Sequence, residues 1–246
     1  MEDNNTMETM DSSFYYKAAK GEIEAFKQHP NPLNQLVTPI DNNTILHIHI
    51  TSRCRYSSYP LYYYGHVKTE VLNHDPSETA SVNFVKQVLG ICPELLHQSN
   101  VKEETLLHIA ARHGHEDIVK VLADENERIC HEDQEAARTM LRMVVNKVKD
   151  SALHEAVKYG HIEVVKELVR RYGDFSYGVN DSSETPLYLA VERGFSEAVD
   201  QILEGCKSPA FHGPDERSAL HAAVLRKDEG KIFPFLFAFQ VFNSID

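Results

Sequence analysis

Six stretches of this chain repeat one pattern, and a repeat of this length constrains the fold more than any single motif does. The stretches "LLHIAARHGHEDIVKVL" from Leu106, "SALHEAVKYGHIEVVKELV" from Ser151 and "TPLYLAVERGFSEAVDQIL" from Thr185 share one order of residues. It reads Leu, a polar ring, any residue, Ala, a small residue, two polar residues, Gly, then an apolar stripe. A fourth copy is "SALHAAVLRKDEG" from Ser218. A weaker fifth is "TILHIHITS" from Thr44, and a degenerate sixth is "FYYKAAKGEIEAF" from Phe14. Anchored on Phe14, Leu46, Leu107, Leu153, Leu187 and Leu220, the spacings are 32, 61, 46, 34 and 33 residues. Three share one period, and the two longer ones read as a normal unit followed by an insertion.

Local chemistry predicts what each unit is. Thr105, Ser151, Thr185 and Ser218 are N-cap residue types directly before a helical pattern. Pro186 falls on a first helical turn, where the missing N–H would have no partner anyway. Leu107, Ala110 and Ala111 are spaced i, i+3, i+4, one face of a short helix. Gly21, Gly114, Gly160 and Gly194 fall just past that helix, where a left-handed residue ends it. A second stripe then follows: Ile118, Val119, Leu122; Val164, Val165, Leu168; Ala198, Val199, Ile202. Each unit is therefore two short antiparallel helices and a connector hairpin. The small pairs Ala110/Ala111, Ala156/Val157, Ala190/Val191 and Ala223/Val224 let neighbouring pairs approach. One such unit cannot bury its face alone, so stacking supplies the core. The expected fold is an all-α solenoid of helix-turn-helix units with short connector hairpins.

The expected organisation is a disordered N-terminus over 1–12, an array over 13–229 and a hydrophobic tail over 230–246. Units fall near 13–40, 43–99, 104–146, 150–179, 184–206 and, in part, 217–229. The second carries an insertion at 51–81 and the third one at 123–146, which reads either as an extra helix or as a unit whose own signature has decayed. The 51–81 segment holds Tyr56, Tyr59, Tyr62, Tyr63 and Tyr64 with arginines nearby. It is either an aromatic binding tip or a surface insertion without a role, since long loops grow cheaply. His49 stands where the pattern asks for alanine, so the second unit is expected to pack worst. The tail, "GKIFPFLFAFQVFNSID", leaves the pattern. It reads either as the end of a truncated or alternatively spliced product or as a strip folding back over the last unit.

Charge and chemistry narrow the function. Lys+Arg is 25 against Asp+Glu 37, a net charge of −12. A nucleic-acid backbone binder needs a basic face, and a lipid-surface segment needs a basic cluster. No apolar run reaches the ~18 residues of a membrane span, and the polar start lacks the apolar core of a signal peptide. Cys54, Cys92, Cys130 and Cys206 form no CxxC pair, which fits a reducing compartment. There is no GxGxxG, P-loop, HExxH or nucleophile elbow, so no catalytic residue and no cofactor is expected. Histidine is abundant, with 14 in the chain. A metal-binding protein or metal-dependent enzyme is the alternative these histidines raise. Position argues against it. His47, His108, His154 and His221 each follow the anchor Leu, and Tyr188 takes the same slot once. A ring with a hydrogen-bonding edge, bridging adjacent connectors, explains both choices. His115 and His161 share the slot after Gly, where Phe195 also stands, and no metal accepts Phe.

Variable polar positions are where a repeat array binds. The slots before Gly are Arg112 and His113, Lys158 and Tyr159, Glu192 and Arg193. Connector tips add Glu103, Glu104, Asp181, Ser183, Glu184, Asp215, Glu216 and Arg217. The expected partner-binding residues are Arg112, His113, Lys158, Tyr159, Glu192, Arg193, Glu216 and Arg217, on a concave face.

The period and the Thr185-Pro186-Leu187-Tyr188-Leu189-Ala190 core resemble ankyrin repeats. The stretch from about Asn100 to Glu229 further resembles the plant ankyrin proteins of the accelerated-cell-death type. Longer members of that group end in a four-helix membrane domain called PGG. The resemblance is weak from Phe14 to Asn100 and absent in the tail. It implies a cytosolic array held at the plasma membrane and acting in defence, salicylate-linked or cell-death signalling through protein contacts. This sequence has no PGG domain, so membrane attachment is expected only of a longer form. The chain itself is expected to be a monomer or part of a larger complex.

Overall fold

The computed structural model describes residues 7–53, 78–129, 144–174 and 177–226. Its helices form two layers. The first layer holds α1 (Ser12–Lys20), α3 (Ile45–Ser52), α5 (Leu106–His113), α7 (Ala152–Lys158), α9 (Pro186–Arg193) and α11 (Ala219–Leu225). The second holds α4 (Glu78–Ile91), α6 (Glu116–Ile129), α8 (Ile162–Tyr172) and α10 (Ser196–Gly205), with a one-turn α2 (Glu24–Lys27) at the start. Within the first layer each helix packs on the next, α1 on α3 through to α9 on α11, and α4, α6, α8 and α10 stack likewise. This is the solenoid of helix pairs that the repeat predicts.

The local rules hold residue by residue. Ser151, Thr185 and Ser218 have extended backbones and accept from the N–H three residues on, as N-caps do. Gly21, Gly114, Gly160 and Gly194 all take positive φ. At Gly114, φ is 72°, and a Cβ there would also sit 2.5 Å from the His161 ring of the following unit. Glycine is thus needed twice over, for the left-handed cap and for the approach of the neighbour.

The core lies between the layers. Leu46, Leu107, Leu153 and Leu187 are at most 2% exposed, and Ala110, Ala156, Ala190 and Ala223 are fully buried. At the connector edge, the N–H groups of Val101, Lys147 and Asp181 donate to Asp41 O, Lys102 O and Val148 O at 2.8, 3.0 and 3.0 Å. One backbone bond thus ties each of these connectors to the one before it.

Three expectations are corrected. Residues 7–12 are ordered: β1 (Glu8–Thr9) pairs in parallel with β2 (Leu36–Val37), Met10 is buried, and Asp11 caps α1. The unit with His49 packs tightly, because His49 is buried with its Nδ1 3.0 Å from Ala18 O and its Nε2 2.7 Å from Ser81 Oγ. The stretch placed as an insertion from 123 begins as helix, since α6 runs on to Ile129 and buries Ala123 and Asn126. The five tyrosines at 56–64, the rest of that second insertion over 130–143, and the tail from 227 lie outside the described residues.

Candidate protein-binding face

The connector edge of the first layer is built from one recurring device. In α3, α5 and α7 the cap residue and the histidine three positions on bond each other. His47, His108 and His154 Nδ1 lie 2.8, 2.9 and 2.8 Å from the hydroxyls of Thr44, Thr105 and Ser151. The same Nδ1 accepts from the backbone N–H of the cap. Their Nε2 atoms lie 3.0, 3.0 and 3.1 Å from Glu104 O, Asp150 O and Glu184 O, each in the following connector. An acceptor at Nδ1 and a donor at Nε2 define one neutral tautomer. Burial enforces it, pushing His47 and His154 down to about 4 and His108 below its ordinary value. These histidines bridge connectors, as the pattern predicts.

The opposite edge carries a second device. The ends of the first-layer helices expose carbonyls, and donors of the following unit cover them. His115 Nε2 reaches Ile50 O at 3.2 Å and His161 Nε2 reaches Arg112 O at 2.8 Å. Where Phe195 replaces the histidine, Arg193 donates to Lys158 O at 3.0 Å, and Arg226 donates to Glu192 O at 2.6 Å. The cations sit where the helix dipole favours them.

The expected contact residues divide into two groups. Arg112 is not a free slot. Its guanidinium holds Glu104 of its own unit and Glu155 of the next, with Nε–Oε2 at 2.9 Å and Nη2–Oε1 at 2.7 Å to Glu155. Burial alone would raise Glu104, but the Arg112 bond and charge hold its carboxyl below the usual range. Glu104 is itself buried, so it leaves the set of connector tips. Lys158 is likewise half-buried and engaged by the buried Asp150. His113 is half-buried beside His115, and burial followed by the His115 charge pushes it down to about 4. Long or aromatic side chains here turn back into the array, because buried carboxylates and neighbouring rings attract them. Tyr159, Glu192, Arg193, Glu216 and Arg217 are exposed.

Two sets of residues escaped the pattern. Asn100, Asn146 and Asn180 each shape a connector. Their Oδ1 atoms accept from backbone N–H groups two and four residues on, at 2.9–3.0 Å. The signal was present: each asparagine stands five residues before its cap. Glu155 and Asp150 were also missed, since an acid on a helix pattern reads as solvated until its partner is placed.

The model for "Ankyrin repeats (3 copies)" matches residues 77–177 and 131–210, more than half of the chain. The chain belongs to the ankyrin-repeat family. The crystal structure of an ankyrin repeat domain from Acinetobacter baumannii AYE is similar over 92% of this chain and 97% of that one. Its TM-score is 0.65 and its identity 14%, a likeness of fold. No curated protein matches at the sequence level. Ankyrin repeats generally act through protein–protein contacts. Among the described residues, no group of three or more His, Cys, Asp and Glu side chains is placed to hold a metal ion. No described helix is long and apolar enough to cross a membrane.

Proposed function

We propose that this ankyrin array is a non-catalytic scaffold that binds a protein partner through its C-terminal half. One observation carries the assignment: Arg112 of α5 and Lys158 of α7 are engaged by the buried carboxylates Glu104, Glu155 and Asp150, while the matching slot of α9 holds an exposed carboxylate. The position of Arg112 and Lys158 is occupied by Glu192 in α9, and the position of Glu104 and Asp150 is occupied by Glu184. Two acids cannot pair, so Glu192 stands exposed near Arg217. Both influence Tyr188: burial raises its phenol first, Glu192 adds to this, and Arg217 opposes it. The contact set is therefore Tyr159, Glu192, Arg193, Glu216 and Arg217, with His113, Arg112 and Lys158 behind it as support. The array runs over 13–229 in the units given above.

The resemblance to the accelerated-cell-death group supports a cytosolic role in plant defence or cell-death signalling. In that reading a longer form is held at the plasma membrane by a PGG domain, and this chain binds the same partners as a monomer. The test compares the chain with a Glu192→Lys, Arg217→Glu variant in affinity capture from plant extract, with thermal melting as a control. Loss of the same proteins at an unchanged melting temperature supports the face. Retention of every protein by the variant overturns it.

A further inference from the structure

Two units of the array hold a cation at one repeated place, and a third keeps half of that place without the cation. In the units of α5 and α7 the residue just before the cap is a carboxylate, Glu104 or Asp150, and the residue seven after the cap is Arg112 or Lys158. The two meet in each unit: Arg112 holds Glu104, and Lys158 holds Asp150. An asparagine five residues before the cap steadies the first carboxylate, with Asn100 Nδ2 donating to Glu104 Oε2 at 3.0 Å. The unit of α9 keeps the asparagine and the acid. Asn180 Nδ2 lies 3.3 Å from Glu184 Oε2, and Glu184 is half-buried. The place of the cation is taken by Glu192, which is exposed. Neither acid forms an ion pair among the described residues. Both act on the Tyr188 phenol, so the two carboxylates border one ring. Arg217 acts on the same phenol and pairs with neither acid.

We propose that the slot between Glu184 and Glu192 takes a lysine or arginine side chain of the partner protein, in the place that Lys158 and Arg112 fill within their own units. The inference rests on the partner-binding face proposed above and names the chemistry of what binds there. The two filled slots fix that chemistry, since one holds an ammonium and the other a guanidinium, each brought in on a long flexible stem. In α9 the stem is missing from the chain, so it comes from another molecule. Charge favours such an occupant at a distance as well: a chain of net charge −12 draws in a basic segment, and an acid pair with no cation of its own gives it a place to stop. A metal ion is the poorer occupant, because among the described residues no three carboxylate, imidazole or thiol groups converge to hold one.

The probe that tests it is a labelled peptide of alternating glycine and lysine, titrated by fluorescence anisotropy against the full chain, with a glycine–glutamate peptide as reference. Glu192→Lys returns a cation to the slot from within the chain. Glu204→Lys makes the same change of charge at an exposed site on α10. The expected result is binding of the lysine peptide alone, weakened at least tenfold by Glu192→Lys and about twofold at most by Glu204→Lys. Thermal melting should find Glu192→Lys no less stable than the parent, since the new ammonium meets Glu184. Equal losses from the two variants, or no preference for the lysine peptide, overturn the slot. The proposed face is judged separately, on a captured partner. A partner lost on Tyr159→Ala but kept on Glu192→Lys leaves the face standing and removes the slot. A partner kept on Tyr159→Ala but lost on Glu192→Lys removes the face as drawn and leaves the slot.

Discussion

The junction between α5 and α7 and the junction between α9 and α11 solve one packing problem with different chemistry. The interior junction is closed by His108, by the Glu104–Arg112–Glu155 cluster and by Asn146, whose Nδ2 lies 3.2 Å from Glu155 Oε1. The terminal junction has Tyr188 in the histidine slot. Thr185 sends its hydroxyl to His212 O at 2.8 Å instead of to a ring. Its acids, Glu184 and Glu192, have no basic residue in the paired slot. The interior therefore spends its polar groups on itself, and the terminal half, on the proposed reading, offers its unmatched carboxylates to a partner. A protein that binds with residues of its own repeat pattern must leave some of them unpaired, and the cost falls on local stability.

The sharpest way to separate the junctions is acid. His47, His49 and His154 are neutral in the fold and held down at about 4 by burial. In the unfolded chain they titrate near ~6.5. Between those values the unfolded state binds the extra protons. The stability that the neutral rings contribute is thus complete above pH ~6.5 and is lost as pH falls towards 4. At pH 5 each ring should cost about 2 kcal/mol, or about 6 for the three. Urea midpoints at pH 7.5 and 5.0, with exchange read by segment, should show α3, α5 and α7 opening first. If α9 opened at the same pH and to the same extent, the histidine account would be wrong.

Next in size is the ion cluster. Arg112→Ala strands two buried carboxylates, and the expected loss is about 3–5 kcal/mol. Replacing Arg112, Glu104 and Glu155 together by Met, Leu and Leu should recover most of it. If Arg112→Ala left the urea midpoint unchanged, the interior would not depend on its own charges. Leu153→Ala removes an anchor that is 1% exposed, with an expected loss of about 2–5 kcal/mol. Calorimetry of this variant places the weight of the interior on packing, independently of charge.

Gly213→Ala probes the terminal junction. The Tyr188 ring lies directly on the Gly213 backbone, so an added Cβ meets ring carbons. The ring must move, at an expected cost of about 1–3 kcal/mol. Gly213 stands five residues before its cap, the place that Asn180 holds before Thr185. The larger ring and the missing side chain therefore go together, and Gly213→Ala, Tyr188→His should be milder than Gly213→Ala alone. A double variant as unstable as the single one would break that coupling.

How far the sequence spoke is visible at particular residues. Spacing located the helices, caps and bridging rings, because those depend on neighbours within one unit. It placed His108 correctly without a structure, since Tyr188 showed that the slot wanted a ring and an edge. It did not foresee the ion pairs of Arg112 and Lys158, because periodicity assigns a face to a backbone position and not to the far end of a long side chain. Glu155 lies 43 residues from Arg112, and only the stacking of α5 on α7 brings them together. His49 misled for the same reason. Its partners, Ala18 and Ser81, belong to helices on either side of it.

The smallest expected change in stability falls on a residue of the proposed contact set. Arg193→Ala removes an exposed guanidinium whose bond to Lys158 O sits in water, so the melting temperature should shift by less than the equivalent of about 1 kcal/mol. Arg112→Ala, three to five times more costly to the fold, should leave partner affinity per folded molecule unchanged. Arg193→Ala, and Tyr159→Ala beside it, should lower that affinity at least tenfold in titration with a captured partner. The two arginines thus exchange ranks between the two measurements. Equal losses of affinity from both would mean that the interior cluster also faces the partner. The division between a self-paired interior and an open terminal half would then fail.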